Sequence, residues 1–296
     1  MARRLEMGAA DVAATGAVPR GAASLARRRR WRNIRILGGG GALLFFLLAA
    51  VLAPVLAPHD PLLPDPAHAL AGPGVAYPLG NDEFGRDVLS RLMFGARISL
   101  LVSIASIALG AGVGAVAGLV AGYYGALLDL LVMRCADVIL AIPPVLLAIG
   151  VVAILGPSLL NLILTVAVIY APRFTRVAYA STRAVREQEY VAAELALGAS
   201  DPRILARTVL PAIIAPLLVQ ASLALGAAML LESGLSFIGL GIHAPAPSWG
   251  LMVSSARQVM AQDPLLVLWP STVLAIAVLA FNVLGDGVRD LLDPRH

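Results

Sequence analysis

Few residues in this chain could make or break bonds. There is no lysine: all 22 basic side chains are arginine. A Walker A phosphate loop needs a lysine to reach nucleotide phosphates, so the chain cannot be a P-loop ATPase by itself. Lysine Schiff-base chemistry is excluded for the same reason. The one cysteine, Cys135, can form neither an intrachain disulfide nor a CxxC metal or redox motif. His59, Asp60, Asp65 and His68 lie close together, but no pair has a metal-helix spacing such as HExxH. The prolines among and after them prevent a regular scaffold for metal ligands. His243 and His296 have no ligand types at useful spacing, and no nucleophile–base pair stands out. The expectation is a non-catalytic chain that holds no metal or cofactor of its own.

The elements that carry these residues are written in the hydropathy. Hydrophobic residues make up 59% of the 296 and charged residues 14%, with a mean hydropathy of +0.86. Soluble domains carry about 25% charged residues. A soluble protein of this size could not hide so much apolar surface. Disorder, a collagen-like fibre and a disulfide scaffold are excluded together. A membrane helix needs about 20 mostly apolar residues. Uncharged runs cover 36–57, 98–128, 139–171, 212–231 and 264–285. The second ends in the turn-like Gly122-Tyr123-Tyr124-Gly125, so its helix is expected to stop near Ala121. The third is too long for one helix and is broken at Gly156-Pro157-Ser158. It therefore reads as two, about 128–155 and 158–173. The chain is an all-α integral membrane protein of six spans.

Arginine placement orients them. With the N-terminus inside, eighteen arginines fall on inner segments and four (Arg86, Arg91, Arg97 and Arg257) on outer ones. Both termini are expected in the cytosol. The Arg27–Arg30 run then marks the inner flank of the first span and gives no support for a nucleic-acid partner. That first span has 22 apolar residues, longer than the 7–15 of a signal-peptide core, so it reads as an uncleaved anchor.

Within the spans, Gly110, Gly114, Gly118 and Gly122 form one small-residue stripe at i, i+4, i+8 and i+12. Such a stripe lets a second helix approach closely, either from this chain or from a partner subunit. Pro143-Pro144 should kink the third span. Arg134 and Asp137, at i and i+3, can pair on one face near its start. The segment Arg173 to Pro211 is more informative. Glu187, Glu189, Tyr190, Ala192, Ala193 and Glu194 belong to a short helix pattern ending at Gly198, a glycine C-cap. Ser200, Asp201 and Pro202 then start a second short helix, which carries Arg203 and should stop at Pro211. Alanine and leucine alternate with charges, which predicts a half-buried face. A charged helix–turn–helix between two spans is a rigid protrusion shaped to dock on something.

These residues resemble the permease subunits of ATP-binding-cassette importers, the dipeptide/oligopeptide/nickel group. That family's cytosolic loop carries Glu-Ala-Ala, three residues, Gly, nine residues, then hydrophobic-x-Leu-Pro. Here Ala192-Ala193-Glu194 stands in the triplet, Gly198 is in register, and Thr208-Val209-Leu210-Pro211 closes the pattern. The triplet departs at its first and third positions, and Thr208 replaces the usual isoleucine. Neighbouring segments match too. Leu79-Gly80-Asn81-Asp82 with Gly85-Arg86-Asp87 looks like the outer-loop signature. Glu232-Ser233-Gly234-Leu235-Ser236-Phe237 with Pro247-Ser248-Trp249-Gly250 follows the fifth span, and Asn282 to Asp290 resembles the family's ending. The resemblance covers about residues 36–295 and points to the second of the two permease types, the one with an N-terminal extension.

The resemblance implies a type I importer permease (MetI-like) fold. It also implies a second homologous permease, two ATPase subunits that carry ATP and Mg, and an external substrate-binding protein, all in a bacterial inner membrane. On this reading 1–35 is a basic tail, 36–57 an anchor and 58–97 an external loop. Residues 98–285 form a permease core with a coupling loop at 174–211 and an external loop at 237–263, and 286–296 form a tail. Two other classes stand beside it. A secondary transporter would need ion-coupling acids near mid-membrane and inverted repeats; the central portions of these spans have essentially no acids. A membrane scaffold would need no docking protrusion.

Overall fold

The computed structural model describes residues 20–242 and 245–292, with side chains from residue 35 onward. Arg3, Arg4, His243, Asp293-Pro294, Arg295 and His296, and the side chains of Arg20, the Arg27–Arg30 run and Arg32, lie outside the described residues.

The described residues are mostly helical, with no strand among them. Helix α1 is Arg20–Leu56, α2 Val88–Tyr124, α3 Ala126–Ala141 and α4 Pro144–Leu155. Then come α5 Leu159–Arg186, α6 Glu189–Ala196, α7 Asp201–Ile204, α8 Leu210–Phe237, α9 Trp249–Gln258 and α10 Leu265–Leu292. Five spans are long and apolar enough to cross a membrane. The α3–α4 pair makes a sixth if its two arms count as one. One end of the bundle, the near end, carries α6 and α7. The far end carries the 58–87 segment and α9.

The glycine stripe explains the centre of the bundle. Helices α2 and α5 share the most extensive contact in the chain. A Cβ on Gly110 would stand 2.8 Å from the Ala167 carbonyl oxygen, and one on Gly122 2.8 Å from that of Tyr179. Between them, Gly114 and Gly118 face the Ala171 and Thr175 carbonyls even more closely. Four glycines thus meet four carbonyls, each set spaced by four residues, and the stripe serves packing inside the chain. No side chain fits between these backbones, and that closeness holds helices together in lipid, where the hydrophobic effect does not.

The structure corrects several expected boundaries, and helix α2 itself runs past Ala121 to Tyr124. Helix α5 does not end near 173 but runs to Arg186. Phe174, Ala178 and Thr182 stay buried past that point because Gly114, Gly118 and Gly122 still lie opposite them. Helix α2 begins at Val88, ten residues before the uncharged run. Asp87 caps it, accepting from the Ser90 N–H at 3.0 Å. The helix does not stop at Pro211 either. From Asp201 the chain passes through one π turn, Leu205–Val209, into α8. The wider turn, with the Leu210 N–H bonded to the Leu205 carbonyl, places Pro211 in the first turn of α8, where its missing donor is not needed.

The third span is not one kinked helix. Its arms α3 and α4 meet at 94° across Ile142 and Pro143. Two consecutive prolines remove two donors, and Ile142 is pushed to extended backbone before the ring. Asp137 pairs with Arg176 of α5 at 2.6 Å, and no Arg134 pair occurs among the described residues. The register of α3 on α5 brings that arginine closer. Helix α10 continues through the expected tail to Leu292, tied to α1 by Arg35–Asp290 at 3.1 Å.

Candidate functional site

At the near end, residues 187–211 form a compact knob. Helix α6 ends in a Schellman turn: the Gly198 N–H bonds to the Leu195 carbonyl and the Ala199 N–H to that of Glu194, both at 3.0 Å. Gly198 sits at φ +82°, the left-handed region where a side chain is strained. Ser200 precedes α7 in extended conformation, but its hydroxyl makes no capping bond; its carbonyl accepts from the Arg203 N–H at 2.9 Å.

The knob is bolted to the bundle by an apolar cluster and two hydrogen bonds. Val191, Ile204, Val209 and Ile213 pack with Tyr123 of α2 and Ala178 of α5, all buried. Tyr123 donates its hydroxyl to Asp201 at 2.9 Å, and Thr208 donates to the Glu194 carboxylate at 2.9 Å. The half-buried face expected of α6 is therefore narrow: Val191 is buried and Glu194 partly so. The alanines and leucines point the other way. Ala192, Ala193, Tyr190 and Leu195 are exposed, and Leu197 is 88% exposed. Glu187, Glu189, Arg203 and Pro211 also face outward. The knob presents exposed apolar side chains ringed by charge, on a base packed against α2 and α5.

A second constellation at the far end was legible as sequence but not as a role. Arg91 joins three stretches of chain: its guanidinium lies 3.3 Å from Asp82, donates to the Pro61 carbonyl at 2.9 Å and reaches that of Pro245 at 3.4 Å. Arg86 pairs with the same Asp82 at 2.7 Å. Trp249 is fully buried, donates its indole N–H to the Leu92 carbonyl at 3.0 Å and meets Phe46 edge-on. Gly95 leaves room for that ring; a Cβ there would lie 3.1 Å from it. Beside it, Glu232 is fully buried. Its carboxylate accepts from the Ser236 hydroxyl at 2.8 Å and that of Ser233 at 3.2 Å. The Ser99 and Ser248 hydroxyls face the same group. One acid thus gathers hydroxyls from α2, α8 and the segment before α9. A glutamate set among serines at the end of an apolar run was the available signal, but only folding brings Ser99 to it.

Removing that acid would leave several buried hydroxyls without an acceptor, each costing about 1–3 kcal/mol. Glu232→Leu should therefore lower the thermal midpoint of the detergent-purified protein well below that of Glu232→Gln, which keeps an acceptor oxygen. Equal midpoints would show that the cluster contributes nothing to holding α9.

Among the described residues no group of three or more His, Cys, Asp or Glu side chains could hold a metal. His68 instead pairs with Asp65 at 2.7 Å, and His59 stacks on Tyr77.

Residues 114–296 match the family model described as the binding-protein-dependent transport system inner membrane component. The chain is 42% identical over 246 residues to the dipeptide transport system permease protein DppC of Alkalihalophilus pseudofirmus, covering 83% of this chain and 81% of the relative. It is 41% identical over 224 residues to the glutathione transport system permease protein GsiD of Pectobacterium atrosepticum, covering 76% and 74%. Among solved structures, a chain of the methionine ABC transporter MetNI in inward-facing conformations superposes with a TM-score of 0.55 at 19% identity. The match covers 68% of this chain and 96% of that one, a likeness of fold. With its lysine-free sequence, its bundle of membrane-spanning helices and the helical knob between two of them, the chain belongs to the inner-membrane components of binding-protein-dependent transport systems, as the non-catalytic permease subunit of an ABC importer.

Proposed function

We propose that this permease takes up di- and oligopeptides or closely related solutes, paired with a second homologous permease across a shared pathway. One ATPase subunit docks on the knob of α6 and α7 and a second on the loop of the paired permease, and an external binding protein delivers solute to the far end. The observation that carries this reading is the knob itself: exposed Tyr190, Leu195 and Leu197 on a base fixed to α2 and α5. When nucleotide closes the ATPase pair, the push on α6 passes through the buried cluster and the Tyr123–Asp201 bond into the ends of α2 and α5. Those two helices move together because no side chain separates them. Such a push can change solute occupancy only if the two pathway states bind solute with different affinity. The peptide class rests on the relatives' substrates.

Both termini are assigned to the cytosol. The arginine bias supports this, and so does the geometry. The start of the first span, the end of α10 and the knob share the near end, while Arg86 and Arg91 sit at the other. On a Cys135→Ser background, Val75→Cys should react with an impermeant thiol reagent added outside, and Gln188→Cys should not. Reversed labelling would sink the orientation.

The functional test is reconstitution. The pure chain in liposomes should hydrolyse no ATP. Together with the paired permease, the ATPases and the binding protein, it should show ATP turnover stimulated by dipeptide. Turnover by the pure chain, or a complete complex indifferent to peptides and to every related solute tried, would refute the reading.

A further inference from the structure

A cavity of about 770 Å³ opens at the far end between the last turn of α1, the segment 58–62, one face of α2 and Ala246-Pro247 before α9. The α2 wall is Phe94, Arg97, Ile98 and Leu101, spaced i, i+3, i+4 and i+7, so a single helix face lines it. Its polarity is graded. Arg97 is the last charged residue before the uncharged run that starts at Ile98, and Asp60 lies three residues after the run that ends at Ala57. Both charges therefore stand at the boundary of the hydrocarbon. Deeper along the same cavity come Ile98, Leu101 and Pro54, and Leu101 is 51% exposed. Among the described residues Arg97 has no carboxylate within ion-pair distance and Asp60 has no cation. Asp60 uses one oxygen to accept the Leu62 N–H at 2.8 Å, which leaves the other free.

A zwitterionic peptide carries the same pair of charges, but the cavity's apolar half runs along the uncharged stretch that starts at Ile98, where a hydrocarbon chain fits better than a hydrated solute, and a transmembrane helix leaves the two opposed charges unused. A molecule with an anion, a primary ammonium and a hydrocarbon tail uses all of it. We propose that this cavity holds a phospholipid of the phosphatidylethanolamine type. Its phosphate lies against the Arg97 guanidinium, its ammonium against Asp60, and the start of one acyl chain along Ile98 and Leu101. Arginine suits the phosphate because its planar fork donates two charge-assisted hydrogen bonds at once. The cavity's volume falls within the range of small-ligand sites. The bound lipid wedges the end of α1 and the 58–62 segment against α2, next to the place where Arg91 grips Pro61.

The test uses the permease complex purified in mild detergent, incubated with equal phosphatidylethanolamine and phosphatidylglycerol and analysed by native mass spectrometry. The wild-type complex should retain phosphatidylethanolamine in preference. Arg97→Gln should lower retention of both lipids by about tenfold, since both carry the phosphate. Arg97→Lys should recover part of that loss, which separates a binding role from a folding one. Asp60→Asn should keep total retention but abolish the preference for ethanolamine. A Leu101→Cys fluorophore on the Cys135→Ser background should be quenched by chain-brominated phosphatidylethanolamine. The proposal fails if the wild type shows no preference, or if both charge variants retain lipid as the wild type does. It also fails if residue 101 is unquenched and cross-links to the paired permease, which would put protein in the cavity.

Discussion

Gly118→Leu should abolish accumulation of the folded chain, while Gly112→Leu, six residues away on the same helix, should leave it at the wild-type level. A Cβ at 118 would run into the Thr175 carbonyl and stand 2.7 Å from the Ala178 Cβ and 2.8 Å from the Tyr179 nitrogen. Two of those three atoms are backbone and cannot rotate away. Overpacking a core that can adjust costs about 1–3 kcal/mol. Here α2 and α5 must separate, and the contact that they lose runs from Gly110 to Gly122. Among the described residues, nothing outside its own helix lies within 4 Å of a Cβ on Gly112, so leucine there meets open space and improves helix propensity. Gly118→Ala should lie between the two. The measurement is monodisperse protein recovered per membrane, by fluorescence-detected size exclusion. Equal yields for Gly118→Leu and Gly112→Leu would show that the glycine–carbonyl contact does not hold the bundle.

Gly198→Arg should leave a normally inserted permease that has lost ATP-driven transport. The glycine's φ of +82° means that any side chain there costs about 1 kcal/mol in backbone strain. That is too little to unfold a knob held by Val191, Ile204, Val209 and Ile213. Among the described residues, no atom beyond its two chain neighbours lies within 4 Å of its Cβ position, so arginine fits the isolated subunit. What it disturbs is the exposed surface beside Leu197, the face proposed to receive the ATPase. Transport per inserted complex should fall by more than tenfold, with ATPase co-purification reduced in parallel. Gly198→Ala carries the strain without the bulk and should fall between wild type and arginine. Wild-type transport by Gly198→Arg at equal expression would remove the knob from the coupling path.

Much of this molecule was legible in one dimension, because the signals involved are local. Absence of lysine is a fact of composition and disposes of a phosphate loop whatever the fold. Silence of charge over about 20 residues reports a span without reference to its neighbours. The Gly198 turn is set by hydrogen bonds within six residues, from Glu194 to Ala199, so the pattern around it announced the end of α6. The glycine stripe announced that some helix approaches closely, but not which one.

Tertiary structure decided what depends on register between distant segments. Helix α5 outruns its apolar stretch to Arg186 because α2 keeps offering glycines opposite Phe174, Ala178 and Thr182. Arg91 looked like a loop charge until Asp82, Pro61 and Pro245 surrounded it inside a helix. Asp137 chose Arg176, 39 residues away, over Arg134 at i−3, because the packing of α3 on α5 brought that guanidinium to 2.6 Å. Glu232 and Ser99 are 133 positions apart and meet only where α2 and α8 cross. Sequence determines which faces are apolar, small or charged. Which face meets which is set by steric fit and hydrogen-bond satisfaction summed over the whole bundle, and no window along the chain contains that sum.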